Sequence, residues 1–132
     1  MGIRNFLLLR AIIALAYAIG LLIIPAQLLQ LYGVVPDVGS IAMSRFLAVE
    51  LVAVGVLCLL ARSLGDWSAL RAVMQALLIS EVIGLMVAVV VTTTGAFNAL
   101  GWSIVVIYGS MSLGYVYFLF FKRPSTSLTS AE

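Results

Sequence analysis

The sequence has no histidine, a single cysteine, and charged side chains at only 9% of its 132 positions. Without histidine the protein lacks the usual haem ligand, the commonest metal ligand and the usual general base. Cys58 alone cannot form an internal disulfide or build a zinc site, and it lies in an apolar run, where we expect a small core residue. We therefore expect neither a metal nor another cofactor, and no catalytic residue.

What the sequence does contain is apolar surface, because hydrophobic residues fill 64% of its positions. A soluble domain of average composition is about 25% charged, far more than this chain. A chain of this size cannot bury that much apolar surface in its own core. We therefore expect that a lipid bilayer solvates it. The net charge of +2 comes from scattered residues and not from a basic patch, and no nucleic-acid partner is expected.

Four apolar runs are each long enough to cross a membrane as a helix of roughly 20 residues. They lack the alternation of a membrane barrel, and turn-forming residues separate them. The predicted fold is therefore all-α, an integral membrane four-helix bundle with antiparallel up-down topology. The runs are Phe6–Tyr32, interrupted by Arg10 and Pro25, then Ile41–Ala61, Leu70–Thr94 and Leu100–Phe121.

Basic residues flank these runs unevenly. Four crossings place six of them on one side, against Arg45 on the other, and the positive-inside rule makes the richer side cytoplasmic. Both termini are then cytoplasmic. Residues 1–123 form a single transmembrane domain, and the polar residues 124–132 are expected to be a flexible tail. The six basic residues are Arg4, Arg10, Arg62, Arg71, Lys122 and Arg123.

Two glutamates occupy the middle of two runs, where a charge is costly and therefore marks either polar packing or a working site. Counting from the run centres puts Glu50 and Glu81 at one depth. Each remaining run offers a hydroxyl near that level, so we predict one buried polar layer in which these groups face each other. Arg10 and Arg45 are expected to lie too far along the axis to join it. The predicted layer consists of Tyr17, Glu50, Glu81, Tyr108 and Ser110.

Small residues recur at four-residue spacing beside two members of this layer. Such rows let another helix come close in a membrane. The first row follows the third run through Ser80, Gly84 and Ala88, and the second joins Ser110 to Gly114 in the fourth run. We expect both rows to be helix-packing faces.

The two glutamates can be interpreted in two ways, and both stay open here. They are protonated or hydrogen-bonded groups that hold helices in register, or they form a proton or cation site in a transporter. The sequence shows no broken helix pair and no second acidic layer that would extend such a pathway.

One set of positions resembles a known family. Pro25 near the end of the first run is followed by Tyr32-Gly33, and Arg45 opens the stretch Arg45-Phe46-Leu47-Ala48-Val49-Glu50. Ala61-Arg62 ends the second run, and Gly101-Trp102 opens the fourth. This pattern resembles the DoxX-like proteins or a related family of small four-helix bacterial membrane proteins of unknown function. The resemblance implies a multi-pass bundle in the bacterial inner (plasma) membrane, sometimes a subunit of a redox complex, and it transfers no catalytic residue.

Three functions are compatible with these features. The leading hypothesis is a non-enzymatic accessory or structural subunit that acts through helix–helix contacts, as a homo-oligomer or with other membrane subunits. The alternative is a proton-coupled transporter of a small lipophilic or cationic solute that uses Glu50 and Glu81. A membrane enzyme comes third, because nothing in the sequence positions an electron carrier.

Overall fold

The structure is a computed structural model that describes residues 2–122. This part of the chain is all-helical and contains no strand, which confirms the predicted class. The predicted tail, residues 124–132, lies outside the described residues, as do Met1 and Arg123. The helices are α1 (Ile3–Ile23), α2 (Pro25–Leu31), α3 (Val38–Ala61), α4 (Trp67–Thr93) and α5 (Gly101–Val116), which continues as a π-helical turn (Tyr117–Phe121).

Pro25 divides the first apolar run into two helices. Proline has no backbone N–H and fixes φ, so it suits the first position of a new helix and ends the one before it. The last bond of α1 runs from the Ile24 N–H to the Gly20 carbonyl, and α2 starts at Pro25. Of these two helices only α1, with 21 residues, is long enough to span a membrane, and its midpoint falls near Ile13.

Aspartate caps start α3 and α4 about three residues before the predicted boundaries. The Asp37 carboxylate accepts from the Ser40 N–H at 2.6 Å, and the Ser40 hydroxyl accepts from the Asp37 N–H at 2.9 Å. Asp66 caps α4 by accepting from the backbone of Ser68 and Ala69. Because such caps satisfy N–H groups that the first helical turn leaves open, each helix begins directly after its aspartate.

We expect these two caps to make stability depend on pH in the acid range. Hydrogen bonds from Ser40 hold the pKa of the Asp37 carboxyl below its usual range, and hydrogen bonds from Ser68 and Ala69 do the same for Asp66. A lowered folded-state pKa stabilises the protein fully above the unfolded value of about 3.9, and the stabilisation is lost as the pH falls through the folded value. Melting temperatures from about pH 6 to about pH 2 should fall less for the variant Asp37→Asn/Asp66→Asn than for the wild type. Parallel curves would contradict this expectation.

The buried core lies where four helix segments meet. α1 packs along α3, and α4 packs along α5. The two pairs join through the first half of α1, the last turns of α3, the first half of α4 and the end of α5. Here the ring of Phe6 meets Tyr115 edge-on at 4.9 Å between centroids, and Phe118 at 5.3 Å. The core residues are Phe6, Leu7, Ala11, Cys58, Ala61, Leu70, Met74, Leu77, Met111, Tyr115, Phe118 and Leu119. Cys58 is fully buried in this core, as expected.

A second set of contacts joins the α4–α5 loop to the end of α2. The Asn98 side chain donates to the Leu31 carbonyl at 2.9 Å, and its backbone N–H donates to Tyr32 at 2.8 Å. The rings of Tyr32 and Phe97 lie 5.6 Å apart. These contacts close the molecule at the end opposite its core.

Four helices are long and apolar enough to cross a membrane, which fits a multi-pass membrane protein. They are α1, α3, α4, and α5 together with its π-helical turn, as predicted from the four runs. Large apolar side chains are exposed on all four, among them Ile23, Phe46 and Leu113, each at least two-thirds exposed. Water would solvate such a surface poorly, whereas lipid chains solvate it well.

Candidate functional site

Glu81 is the polar group that the fold buries most completely in the middle of a spanning helix. Its side chain is 2% exposed and accepts a hydrogen bond from the Nε atom of Arg10, whose side chain is 7% exposed. Its second oxygen, Oε2, has no hydrogen-bond partner among the described residues. An ion pair removed this far from solvent links α1 to α4 at the boundary of the core.

The expectation that Arg10 lies too far from the polar layer is wrong. That expectation treats the first run, Phe6–Tyr32, as a single helix whose centre is near Ile19. Because Pro25 ends α1 early, the true midpoint is near Ile13, and Arg10 lies about 5 Å from it along the axis. An arginine side chain reaches across that difference with its long stem.

Glu50 does not join this layer, which corrects the predicted convergence of the two glutamates. It lies at the middle of α3 but is exposed, while the face of α3 that packs against α1 carries Ser44, Ala48 and Gly55. Helical geometry puts Glu50 about 140° from that buried face. The two carboxylates therefore do not share one site, and proton-coupled transport through both of them stays a prediction.

The hydroxyl groups of the predicted layer are also distributed differently. Tyr17 bonds to Tyr32, with 2.8 Å between the two oxygens, and Ser110 is exposed and donates to the Ile107 carbonyl at 3.0 Å. Tyr108 is half-buried, and its hydroxyl makes no hydrogen bond to another residue within the described range. None of the three contacts a glutamate by a hydrogen bond in the described part of the chain.

The small-residue rows make room for aromatic rings. A Cβ atom at Gly84 would lie 2.5 Å from the Tyr108 ring, and one at Gly114 would overlap the Phe6 ring. Ala88 is buried, but Ser80 is exposed and is not part of a packing face within residues 2–122. The rows thus contribute to helix contact at Gly84 and Gly114, where side chains of neighbouring helices occupy the space that a Cβ atom would need.

An elongated cavity of about 380 Å³ separates the two helix pairs beyond the core. Arg10 lines it, and Tyr32 and Phe97 line it near the loop that closes the molecule. Most of the remaining lining is aliphatic, with side chains from α1, α2, α3, α4 and α5, including Leu21, Leu28, Leu51, Ala88 and Ile104. A pocket that is mainly apolar with a few placed polar groups is typical of small-molecule sites.

Most hydroxyl groups of this cavity already have partners. Tyr17 and Tyr32 bond to each other, and the Ser44 hydroxyl donates to the Ser40 carbonyl at 2.8 Å. Tyr108 is the exception among these hydroxyl groups, and Arg10 adds further hydrogen-bond donors to the cavity wall. Arg10 donates to Glu81 through Nε, and its two terminal nitrogens have no acceptor among residues 2–122. The cavity therefore presents strong donors near the core and an apolar wall elsewhere.

Several cavity residues were not predicted, because they come from segments that lie far apart in the sequence. Tyr32 and Phe97 lie in links that sequence patterns mark only as turns, and Leu51 is one apolar residue among many. A signal did exist for Arg10, since Pro25 shortens the first helix. No group of three or more metal-ligating acidic or cysteine side chains comes together in the described ranges.

Comparison with the models of known families, with curated proteins and with solved structures gives no match. The resemblance to DoxX-like proteins stays a prediction.

Proposed function

We propose that this protein is an integral membrane subunit of the bacterial inner membrane that acts through helix–helix contact, and that Glu50 lies in the contact face. The observation that carries the proposal is the exposure of Glu50 at the middle of α3. A carboxyl group at that depth has no water to bond, so an unpartnered one is costly in lipid. A partner helix that supplies a hydrogen bond removes this cost.

The partner that suits this face best is a second copy of the chain. Most homo-oligomers have twofold symmetry, which brings identical residues together. A twofold axis along the membrane normal places the two Glu50 side chains at the same depth, where each is a polar group within reach of the other copy. The same stripe of α3 carries exposed Phe46, Ala53 and Leu57, and the small Ala53 lets two helices approach.

We further propose an antiparallel up-down bundle with both termini in the cytoplasm. The support is the uneven distribution of basic residues at the helix ends. Arg4 lies in the first turn of α1, and Arg62 directly follows α3. Arg71 lies one turn inside α4, and Lys122 follows the π-helical turn that ends α5. Positively charged flanks are retained on the cytoplasmic side during insertion.

Reporter insertions test this topology. A cytoplasmically active reporter in the 62–66 link should be active, whereas one placed at Gly95 in the α4–α5 loop should be inactive, because the two links lie on opposite sides. A periplasmically active reporter at the same positions should give the inverse pattern. Equal activity at both positions would contradict the four-crossing arrangement.

Cysteine cross-linking tests the contact face. In a Cys58→Ala background, Ala53→Cys should form a disulfide-linked dimer when membranes are treated with an oxidant, because the proposed dimer brings this stripe of α3 against the same stripe of the second copy. Ala76→Cys is the matched control, being an exposed alanine on α4, and should stay monomeric. Glu50→Leu should lower the dimer fraction, with an association constant about 3- to 30-fold weaker, while Glu50→Gln keeps the hydrogen bond.

Other outcomes separate the partners. If Ala53→Cys cross-links to a different polypeptide that also co-purifies in mild detergent, the face is correct but the protein is an accessory subunit of a larger complex. If neither product forms, and Glu50→Leu leaves extraction behaviour unchanged, the contact face does not exist.

A further inference from the structure

The guanidinium group of Arg10, at the end of the cavity next to the core, has more hydrogen-bond donors than the folded chain uses. Arg10 is 6% exposed and lines the cavity, and only its Nε atom donates a hydrogen bond to another of the described residues. Leaving strong donors unbonded in a buried apolar site is costly. We propose that the cavity binds an elongated, uncharged apolar molecule whose carbonyl-type oxygen accepts hydrogen bonds from the terminal nitrogens of Arg10.

The size of the cavity fits such a ligand. Its volume of about 380 Å³ is well above the roughly 150 Å³ of an engineered apolar cavity that holds benzene. Its α1 lining runs from Arg10 to Leu21, which corresponds to about 16 Å along the helix. A single chain of about ten carbons with one polar end has the matching shape.

The charge of the site determines whether the polar group of the ligand is charged or uncharged. The Arg10 guanidinium already faces the Glu81 carboxylate, so the pair is neutral as a unit. An anionic ligand would add an unbalanced negative charge in a site whose walls are mainly apolar, which is unfavourable. A ketone, ester or aldehyde accepts the same hydrogen bonds without adding charge, so we infer an uncharged carbonyl group.

The far end of the cavity selects for an apolar tail. The Tyr17 and Tyr32 hydroxyls bond to each other, and Leu21, Leu28 and Ile104 contribute aliphatic surface. With these hydroxyls satisfied, a hydrocarbon chain leaves no further polar group without a partner. The inference is independent of the contact face at Glu50, because α3 presents Glu50 on its exposed side.

Three probes of equal chain length test the proposal in the purified full-length protein. Equilibrium dialysis in detergent should give 2-undecanone a dissociation constant about tenfold or more below that of undecane, because a hydrogen bond from a charged donor is added. Undecanoate should bind more weakly than the ketone. Equal binding of ketone and alkane would overturn the proposal in favour of a cavity for lipid chains, and tightest binding of undecanoate would overturn the uncharged class.

Two variants locate the binding. Ala88→Leu fills the cavity from α4 and should abolish ketone binding while the melting temperature is kept or raised, whereas Ala72→Leu on the exposed side of α4 should bind like the wild type. The double variant Arg10→Met/Glu81→Met removes both charges together and should reduce ketone binding to the level of undecane. If folded Ala88→Leu protein or the double variant binds the ketone as tightly as the wild type does, the ligand does not bind in this cavity.

Discussion

Replacing Arg10 with methionine is expected to destabilise the protein by about 3–5 kcal/mol. The change leaves Glu81 buried without its partner, and Oε2 of that residue already has none among the described residues. An uncompensated carboxylate must either stay charged in an apolar interior or take up a proton, and both cost folding free energy. Unfolding of the purified protein by denaturing detergent, followed by circular dichroism, measures the effect.

The control is the double variant Arg10→Met/Glu81→Met. Removing both charges replaces the pair by apolar side chains of similar length, which is often neutral or even stabilising in buried sites. The double variant should therefore be clearly more stable than Arg10→Met alone. Arg71→Met, which removes an exposed arginine, should change stability little. Additive losses from Arg10→Met and Glu81→Met would show that the two residues do not interact.

Replacing Gly114 with alanine is expected to cost about 1–3 kcal/mol, although alanine is the better helix former. A Cβ atom at this position would overlap the Phe6 ring, which also contacts Tyr115 and Phe118. Phe6 must then leave its place in the core or shift α1 away from α5. The melting temperature in detergent should fall accordingly.

Gly109 is the matched control on the same helix. A Cβ atom there would meet its nearest neighbour, Leu85, at 3.9 Å, which is an ordinary contact. Gly109→Ala should therefore be neutral or stabilise the helix by up to about 1 kcal/mol. Equal destabilisation by both alanine variants would mean that loss of glycine itself, and not contact with Phe6, causes the effect.

Local signals predicted the helices well and their first residues less well. The four apolar runs correspond to four spanning helices, because length and hydropathy are local properties of the chain. The predicted starts of α3 and α4 lie about three residues too late, because hydropathy marks the first apolar residue of a run and not the aspartate that caps the helix, Asp37 or Asp66. Both precede a run in the way that N-cap residues do. The capping interactions needed no tertiary information.

The partners of the polar groups were predicted poorly. Depth along a helix can be counted from sequence, and it correctly placed Glu50 and Glu81 in the middle of their helices. Rotation about the helix axis decides whether such a residue faces protein, a cavity or lipid. In helices that are apolar on all sides no polar face indicates this rotation, so Glu50 was expected inside and is exposed.

The sequence by itself determined the all-helical class, the four membrane-compatible helices and the uneven distribution of basic residues among the helix ends. These follow from composition and from the run of residues along the chain. Only the tertiary structure decided that Arg10 pairs with Glu81, that Phe6 occupies the space at Gly114, and that a cavity separates the two helix pairs. The physical reason is that these features depend on which helices pack together and in which rotation, and packing between distant segments leaves no local pattern in an almost uniformly apolar chain.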